Sequence, residues 1–182
     1  MNRGKILVSL IVLVLIAAAV FAFNPSDKQE PPNISEPDNK QFIEQEITLY
    51  FGDSQAMFLV PEKRIIEIEK DSPIADAVVT ELITGPQNKD LSPTIPQGTR
   101  LLSLKIEDRV AYLDFNKEFR ENHPGGSSGE TMTLISIVNS LTELDSIDEI
   151  QILIEGEIYE TLAGHWDISK PITRDEKIIQ KQ

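Results

Sequence analysis

The chain has 182 residues, with 17 Lys and Arg against 30 Asp and Glu, a net charge of -13 and no cysteine. The acidic excess excludes nucleic acid as a partner, since that binding rests on Lys and Arg neutralising phosphates, and it disfavours anionic lipid headgroups for the same reason. Without cysteine there is no disulfide, thiolate nucleophile, thiol metal ligand or lipidated cysteine.

Residues 1–5 carry Arg3 and Lys5, and residues 6–23 follow as an apolar run of about 18 residues in which only Ser9 is polar. That length lies between a long signal-peptide core and a minimal transmembrane helix, and Val20-Phe21-Ala22 offers residues that a signal peptidase tolerates. The segment is expected to be a single-pass membrane anchor, or a signal cleaved after Ala22. In either case Arg3 and Lys5 stay in the cytoplasm and the rest is exported. Residues 24–42 are acidic and hold Pro25, Pro31, Pro32 and Pro37, which prevent helix and leave little to bury. They read as a tether that reaches up to roughly 50 Å when extended.

A single α+β domain is expected over residues 43–172, followed by a polar C-terminal tail at 173–182. Ile47, Leu49 and Phe51 alternate with Thr48 and Tyr50 in a half-buried strand pattern that stops at Gly52-Asp53. Residues 56–60 and 64–69 flank Pro61-Glu62, which predicts an irregular edge hairpin because proline is confined to strand edges and turns. Ser72 is placed to cap a helix with Pro73 in its first turn; Ile74, Val78, Val79, Leu82 and Ile83 form one stripe, and Gly85-Pro86 ends it. Residues 86–98 suit an ordered surface loop anchored by Leu91 and Ile95. A hairpin then pairs Leu102, Leu104 and Ile106 with Ala111, Leu113 and Phe115 across Glu107-Asp108-Arg109, and residues 116–119 form a short helical turn.

A glycine-rich loop, Gly125-Gly126-Ser127-Ser128-Gly129, leads into the second helix. A phosphate loop needs Lys followed by Ser or Thr at the helix start, and Glu130 stands there instead; the glycine spacing is also wrong for a dinucleotide loop. Ser127 and Glu130 have the spacing of a capping box, with Gly125 and Gly126 as the tight turn before it. Leu134, Ile135, Ile137, Val138, Leu141 and Leu144 make the buried stripe. Thr133, Ser136, Ser140 and Glu143 lie opposite: a candidate interaction face, small enough for another subunit or element to approach, or else a solvated face. Ile150, Ile152 and Ile154 form a closing strand, so the pattern predicts a mixed sheet with two helices packed on one face.

No catalytic, cofactor or metal site is expected. His123 and His165 lack short-spaced ligand partners, and Ser127 and Ser128 lack a nucleophile-elbow context. Acidic pairs such as Asp114 with Glu118 or Glu143 with Asp145 arise by chance in so acidic a chain. A competing reading is a small-molecule or cell-wall glycan module built from residues 86–98 and 121–129, with Trp166 as a stacking surface.

The order of the motifs resembles the GerM domain family of sporulation and spore germination proteins. The resemblance covers about residues 47–171. It is carried by Leu59-Val60-Pro61-Glu62 with Arg64, Leu82-Ile83-Thr84-Gly85-Pro86, Ile95-Pro96 with Gly98-Thr99 and Leu101-Leu102-Ser103, Tyr112-Leu113-Asp114-Phe115 with Glu118-Phe119, Gly125-Gly126-Ser127 with Glu130, Ile137-Val138-Asn139-Ser140-Leu141-Thr142-Glu143, Ile150-Gln151-Ile152 with Gly156, and Gly164-His165 with Pro171. It implies a ring-building-motif-like fold and a non-enzymatic module that binds envelope proteins or copies of itself. The chain departs from members that carry two copies of the domain and from those anchored by a lipidated cysteine.

Overall fold

The computed structural model describes residues 41–180. The expected anchor or signal segment, and all but the last two residues of the expected tether, lie outside them. Among the described residues no helix is long and apolar enough to cross a membrane. In chain order the elements are β1 (Phe42–Gly52), β2 (Leu59–Glu69), α1 (Ile74–Thr84), β3 (Leu101–Glu107), β4 (Val110–Phe115), α2 (Glu118–Glu121), α3 (Ser127–Leu141), β5 (Glu149–Ile154) and β6 (Ile172–Thr173).

The strands form two sheets rather than the one predicted: the hairpin β1-β2 and a four-stranded sheet of order β3-β4-β5-β6. The larger sheet is mixed, because β4 and β5 are parallel while β3-β4 and β5-β6 are antiparallel. A parallel pair needs a crossover, and α2 with α3 supplies it. Helix α3 packs against β1 and β5, and α1 packs against β1, β3 and α3. The helices therefore have sheet on more than one side, and α3 is buried all round from Met132 to Leu141. The alternating residues predicted to point inward do so on the central strands: Ala111, Leu113 and Phe115 of β4 and Ile150, Ile152 and Ile154 of β5 are all buried.

The hairpin is more regular than its proline suggests. β2 runs unbroken through Pro61, which lies opposite Tyr50. The Tyr50 N–H and C=O bond to α3 hydroxyls and not to β2. Tyr50 and Pro61 therefore form a pair whose backbone groups point out of the ladder, so the missing N–H of Pro61 removes no bond from it. Helix α1 starts one residue later than expected, with Pro73 in the cap position and no side-chain cap from Ser72. Gly85, at φ 94°, ends it as predicted.

Two further expectations change. Leu102 and Ile106 of β3 are 48% and 39% exposed, because β3 is an edge strand whose register shifts between Leu101 and Ser103. The C-terminal residues are no free tail. The Leu59 N–H donates to the Ile178 carbonyl (2.9 Å) and the Gln180 N–H to the Leu59 carbonyl (2.8 Å), which covers that end of the outer edge of β2. Ile178 and Ile179 pack on the core.

Candidate functional site

Gly125 and Gly126 have φ of 77° and 81° with open space around each. Their role is conformational, since two successive left-handed residues turn the chain into α3 at little cost only when both are glycine. The expected capping box is absent: Gly126 occupies the cap position with no side-chain hydrogen bond, and Ser127 is exposed.

Glu130 does something else. Its side chain is fully buried and points away from the cap. It accepts the N–H of His165 (3.1 Å), the N–H of Trp166 (3.0 Å) and His165 Nδ1 (2.8 Å). Burial opposes its ionisation. The N–H of Trp166, the His165 ring and the N–H groups of Ala163 and His165 outweigh that and hold the carboxyl below its usual range. Trp166 Nε1 donates to Thr131 Oγ1 at 2.8 Å, so the 163–166 loop is fastened to the first turns of α3 through a carboxylate and a hydroxyl. Trp166 is half-buried against the core with its Nε1–H engaged, so its ring is held in place and is not a freely exposed surface.

The small polar face of α3 is covered from within the chain: the element that approaches Thr133, Ser136 and Ser140 is β1 together with the Thr94 loop, so these three are not open to solvent. Thr133 Oγ1 donates to the Thr94 carbonyl (2.6 Å), Ser136 Oγ donates to the Tyr50 carbonyl (2.6 Å), and Ser140 Oγ accepts the Tyr50 N–H (3.0 Å). Ser136 Oγ has given its one proton to Tyr50, so Thr94 Oγ1 is the donor in the 2.7 Å contact between the two hydroxyls. Glu143, at the open end of the face, accepts from Tyr50 Oη and Arg174 Nη2, both at 2.7 Å.

The same proton count fixes His123. Thr133 Oγ1 donates to Thr94, so His123 Nε2 must donate across the 3.1 Å contact to Thr133. Its Nδ1 accepts the Gly125 N–H at 2.9 Å. The ring is therefore the neutral Nε2–H tautomer, and burial, against the pull of Glu130, lowers its pKa. His123 ties the glycine turn to the body of α3.

A third cluster appeared in the sequence only as a motif. Arg64 is 4% exposed, and it donates to Glu62 Oε1 (2.5 Å), Glu81 Oε2 (2.6 Å) and the Gly85 carbonyl (2.6 Å). Its cation lies at the carbonyl end of α1, where the helix dipole favours it. Glu62 also accepts the N–H groups of Gln87 and Asn88; burial works against its charge, but these donors and Arg64 lower its pKa. The signal for this cluster was Arg64 standing at an inward position in the β2 alternation.

Beside the glycine turn lies a cleft of about 340 Å³ between Gly52, Ile95, Pro96, Asn122 and Met132. Its polar walls are already in use: Asn122 Nδ2 donates to the Gln97 carbonyl, and Thr94 and Thr133 bond as above. No buried side-chain polar atom among the described residues lacks a partner, and no group of three or more acidic or histidine side chains there could hold a metal ion. Asp114, one member of an acidic pair, accepts the Gly156 N–H at 2.8 Å. The ionisable groups at this site brace loops.

The family model for Germane, described as sporulation and spore germination, matches residues 48–160. The chain belongs to the Germane family. No curated protein matches it. Among solved structures it is similar to a candidate lipoprotein from Clostridium perfringens, with 31% identity, a TM-score of 0.53, and coverage of 71% of this chain and 87% of that one. It is also similar to the tandem GerMN domains of the sporulation protein GerM from Bacillus subtilis, with 19% identity, a TM-score of 0.59, and coverage of 83% of this chain and 51% of that one. The first GerMN domain of the same protein gives 20% identity, a TM-score of 0.54, and coverage of 73% and 98%. At those identities the two GerM structures establish the fold alone. The Germane match stops at residue 160, whereas the partners of Glu130 lie at 163–166 and that of Tyr50 at Arg174. In this Germane domain the segment after the matched residues completes the bracing.

Proposed function

We propose that this Germane domain is an exported, membrane-tethered, non-enzymatic module that binds envelope proteins or copies of itself during sporulation or germination. The observation that carries the proposal is the fate of the reactive groups: Glu130, His123, Glu62, Arg64, Asp114 and Glu143 all hold backbone or side-chain partners in structural roles. What the domain offers outward is surface, including Phe42, Met57, Ile65 and Leu102.

The apolar run at residues 6–23 is the proposed tether to the membrane, with the domain outside the cytoplasm, or secreted if cleavage occurs after Ala22. The Clostridium perfringens relative, a candidate lipoprotein, supports an envelope location. This chain has no cysteine for a lipid, so the apolar segment takes that part. Nucleic acid is not a proposed partner, given the net charge of -13.

The test is photo-crosslinking in the native host from single exposed positions, with light scattering on the purified full chain in detergent. Discrete protein adducts or a defined oligomer are expected, together with a sporulation or germination defect on deletion. A strict monomer without adducts, or substrate turnover by the purified chain, would overturn the proposal.

A further inference from the structure

The four-stranded sheet ends in β6 on one side, two residues long, and in β3 on the other. The β3-β4 turn decides which way the backbone of β3 points. Asp108 and Arg109 have φ of 49° and 66°, as a two-residue type I′ turn requires, so Glu107 and Val110 form the hydrogen-bonded pair that closes it. Such pairs alternate along the ladder, which commits the N–H and C=O of Ser103 and Lys105 to β4 and turns those of Leu104 and Ile106 to the outer edge. Among the described residues nothing bonds to them there. Strand edges are usually blunted by proline, lysine, a bulge or a covering element. β3 has no proline, and its bulge, at Leu102, leaves Ser103 to Glu107 in regular register. Lys105 is its one cation, and Glu107 holds it at 2.5 Å.

The strand is also complementary to itself. Leu102, Leu104 and Ile106 are spaced evenly about Leu104, with Arg100 before them and Asp108 after them. A twofold axis at Leu104 that sets two copies antiparallel places Leu104 opposite Leu104, Leu102 opposite Ile106 and Ser103 opposite Lys105. It also brings Arg100 of each copy to Asp108 of the other, and self-matching of this kind is what an isologous interface needs. Arg100 and Asp108 are exposed, and neither side chain has a partner among the described residues. The net charge of -13 is not concentrated here: residues 100–109 hold Arg100, Lys105 and Arg109 against Glu107 and Asp108. Exposed charges farther off are screened over about 8 Å at physiological salt.

We infer that β3 is a self-pairing edge: two copies of the chain join their β3 strands antiparallel about Leu104, so that two four-stranded sheets become one. The inference rests on the assembly reading above, takes its self-association branch and names the surface. One strand pair is a small interface, below about 1,200 Å², so the dimer is weak in solution and gains from copies held at one membrane.

The chain has no cysteine, so introduced cysteines report the register without background. Across the axis residue 103 faces residue 105 as a non-hydrogen-bonded pair about 4.5 Å apart, within disulfide reach, whereas each lies about 7–8 Å from its own equivalent, beyond it. Full chains in detergent carrying Ser103→Cys and Lys105→Cys, mixed under mild oxidation, should therefore form the covalent heterodimer at least about tenfold faster than either forms a homodimer. Glu44→Cys, on the hairpin, is the control for random collision. Arg100→Glu in both chains should slow the heterodimer about tenfold, because the axis counts the lost contact twice, and adding Asp108→Lys should restore it. Ile106→Pro removes only an outward N–H and should abolish it. A cooperative urea transition confirms that each variant folds, and if Ile106→Pro does not, the charge reversal and its rescue decide. A heterodimer no faster than the homodimers or the Glu44→Cys control, or one indifferent to Arg100→Glu, overturns the inference. In cells, adducts from a photo-crosslinker at Ile106 only with other proteins also overturn it and leave the assembly reading standing. An absence of adducts from every exposed position overturns the assembly reading itself.

Discussion

Exchanging the expected roles of Ser127 and Glu130 gives the sharpest test of the site. If the two residues formed a capping box, Glu130→Gln would be nearly neutral and Ser127→Ala would cost about 1 kcal/mol. The structure reverses the order. The Glu130 carboxylate is fully buried and receives two backbone N–H groups and an imidazole nitrogen. Glutamine keeps the volume, removes the charge from every bond that remains and turns an NH₂ toward donors. A hydrogen bond to a charged group contributes about 1.5–3 kcal/mol and an orphaned buried donor costs about 1–3 kcal/mol, so Glu130→Gln should destabilise by about 3 kcal/mol. Ser127 is exposed and makes no cap bond, so Ser127→Ala should fall within about 0.5 kcal/mol. Urea unfolding of the full chain, followed by the fluorescence of its single tryptophan, reads both variants, because Trp166 sits on the braced loop. With a slope of about 2 kcal/mol per molar urea, the Glu130→Gln midpoint should drop by about 1.5 M. The pH dependence gives a second reading. The folded pKa of Glu130 is depressed, so its stabilisation is complete above about 4.5 and is lost as pH falls through the folded value. That loss should be missing in Glu130→Gln. A midpoint shift below about 0.3 M for Glu130→Gln, or a larger shift for Ser127→Ala, would refute the reasoning.

Other outcomes follow from the same bonds. The depressed pKa of His123 means that the unfolded chain takes up a proton first, so stability should decline as pH falls below about 6.5, and ¹⁵N spectra at neutral pH should show the Nε2–H tautomer. Raising pH across that window with no gain in stability would contradict the assignment. Arg64→Met leaves Glu62 and Glu81 without their cation and should cost about 3–5 kcal/mol, with Arg64→Lys a poor rescue because one ammonium cannot reach all three acceptors; thermal denaturation measures both. Deleting residues 174–182 removes the Arg174 bonds to Tyr50, Glu143 and Asn139 and uncovers the Leu59 edge, a loss of at least about 3 kcal/mol at about 1 kcal/mol per bond. Full stability after that truncation would return the segment to the status of a tail.

What could be read in the sequence was whatever depended on short spacing. The alternation of Ala111, Leu113 and Phe115, the helical stripe from Leu134 to Leu141 and the Gly85 stop were legible, because neighbours in the pattern are neighbours in space. Glu130 was misread for the converse reason: the spacing from Ser127 suits a local bond, but its real donors lie 35 residues away and no local pattern weighs them. Spacing alone leaves the hydroxyls of α3 equally suited to solvent, to another subunit or to another element of the chain. They are the partners that the outward N–H and C=O of Tyr50 require. Leu102 and Ile106 show another error, a hydrophobic alternation lying on an edge strand with one side uncovered.

The clasp on Tyr50 also sets the order in which the chain can fold. Its strand is made early, yet its backbone waits for Ser136 and Ser140, 86 and 90 residues on, and its hydroxyl for Arg174, 124 residues on. The edge at Leu59 is closed by residues 178–180. Closures over such long separations slow folding and make it cooperative, because the loop between the partners must be ordered before the bonds form, so the local ladder of β1 and β2 gains its full stability only when α3 and residues 174–180 dock on it.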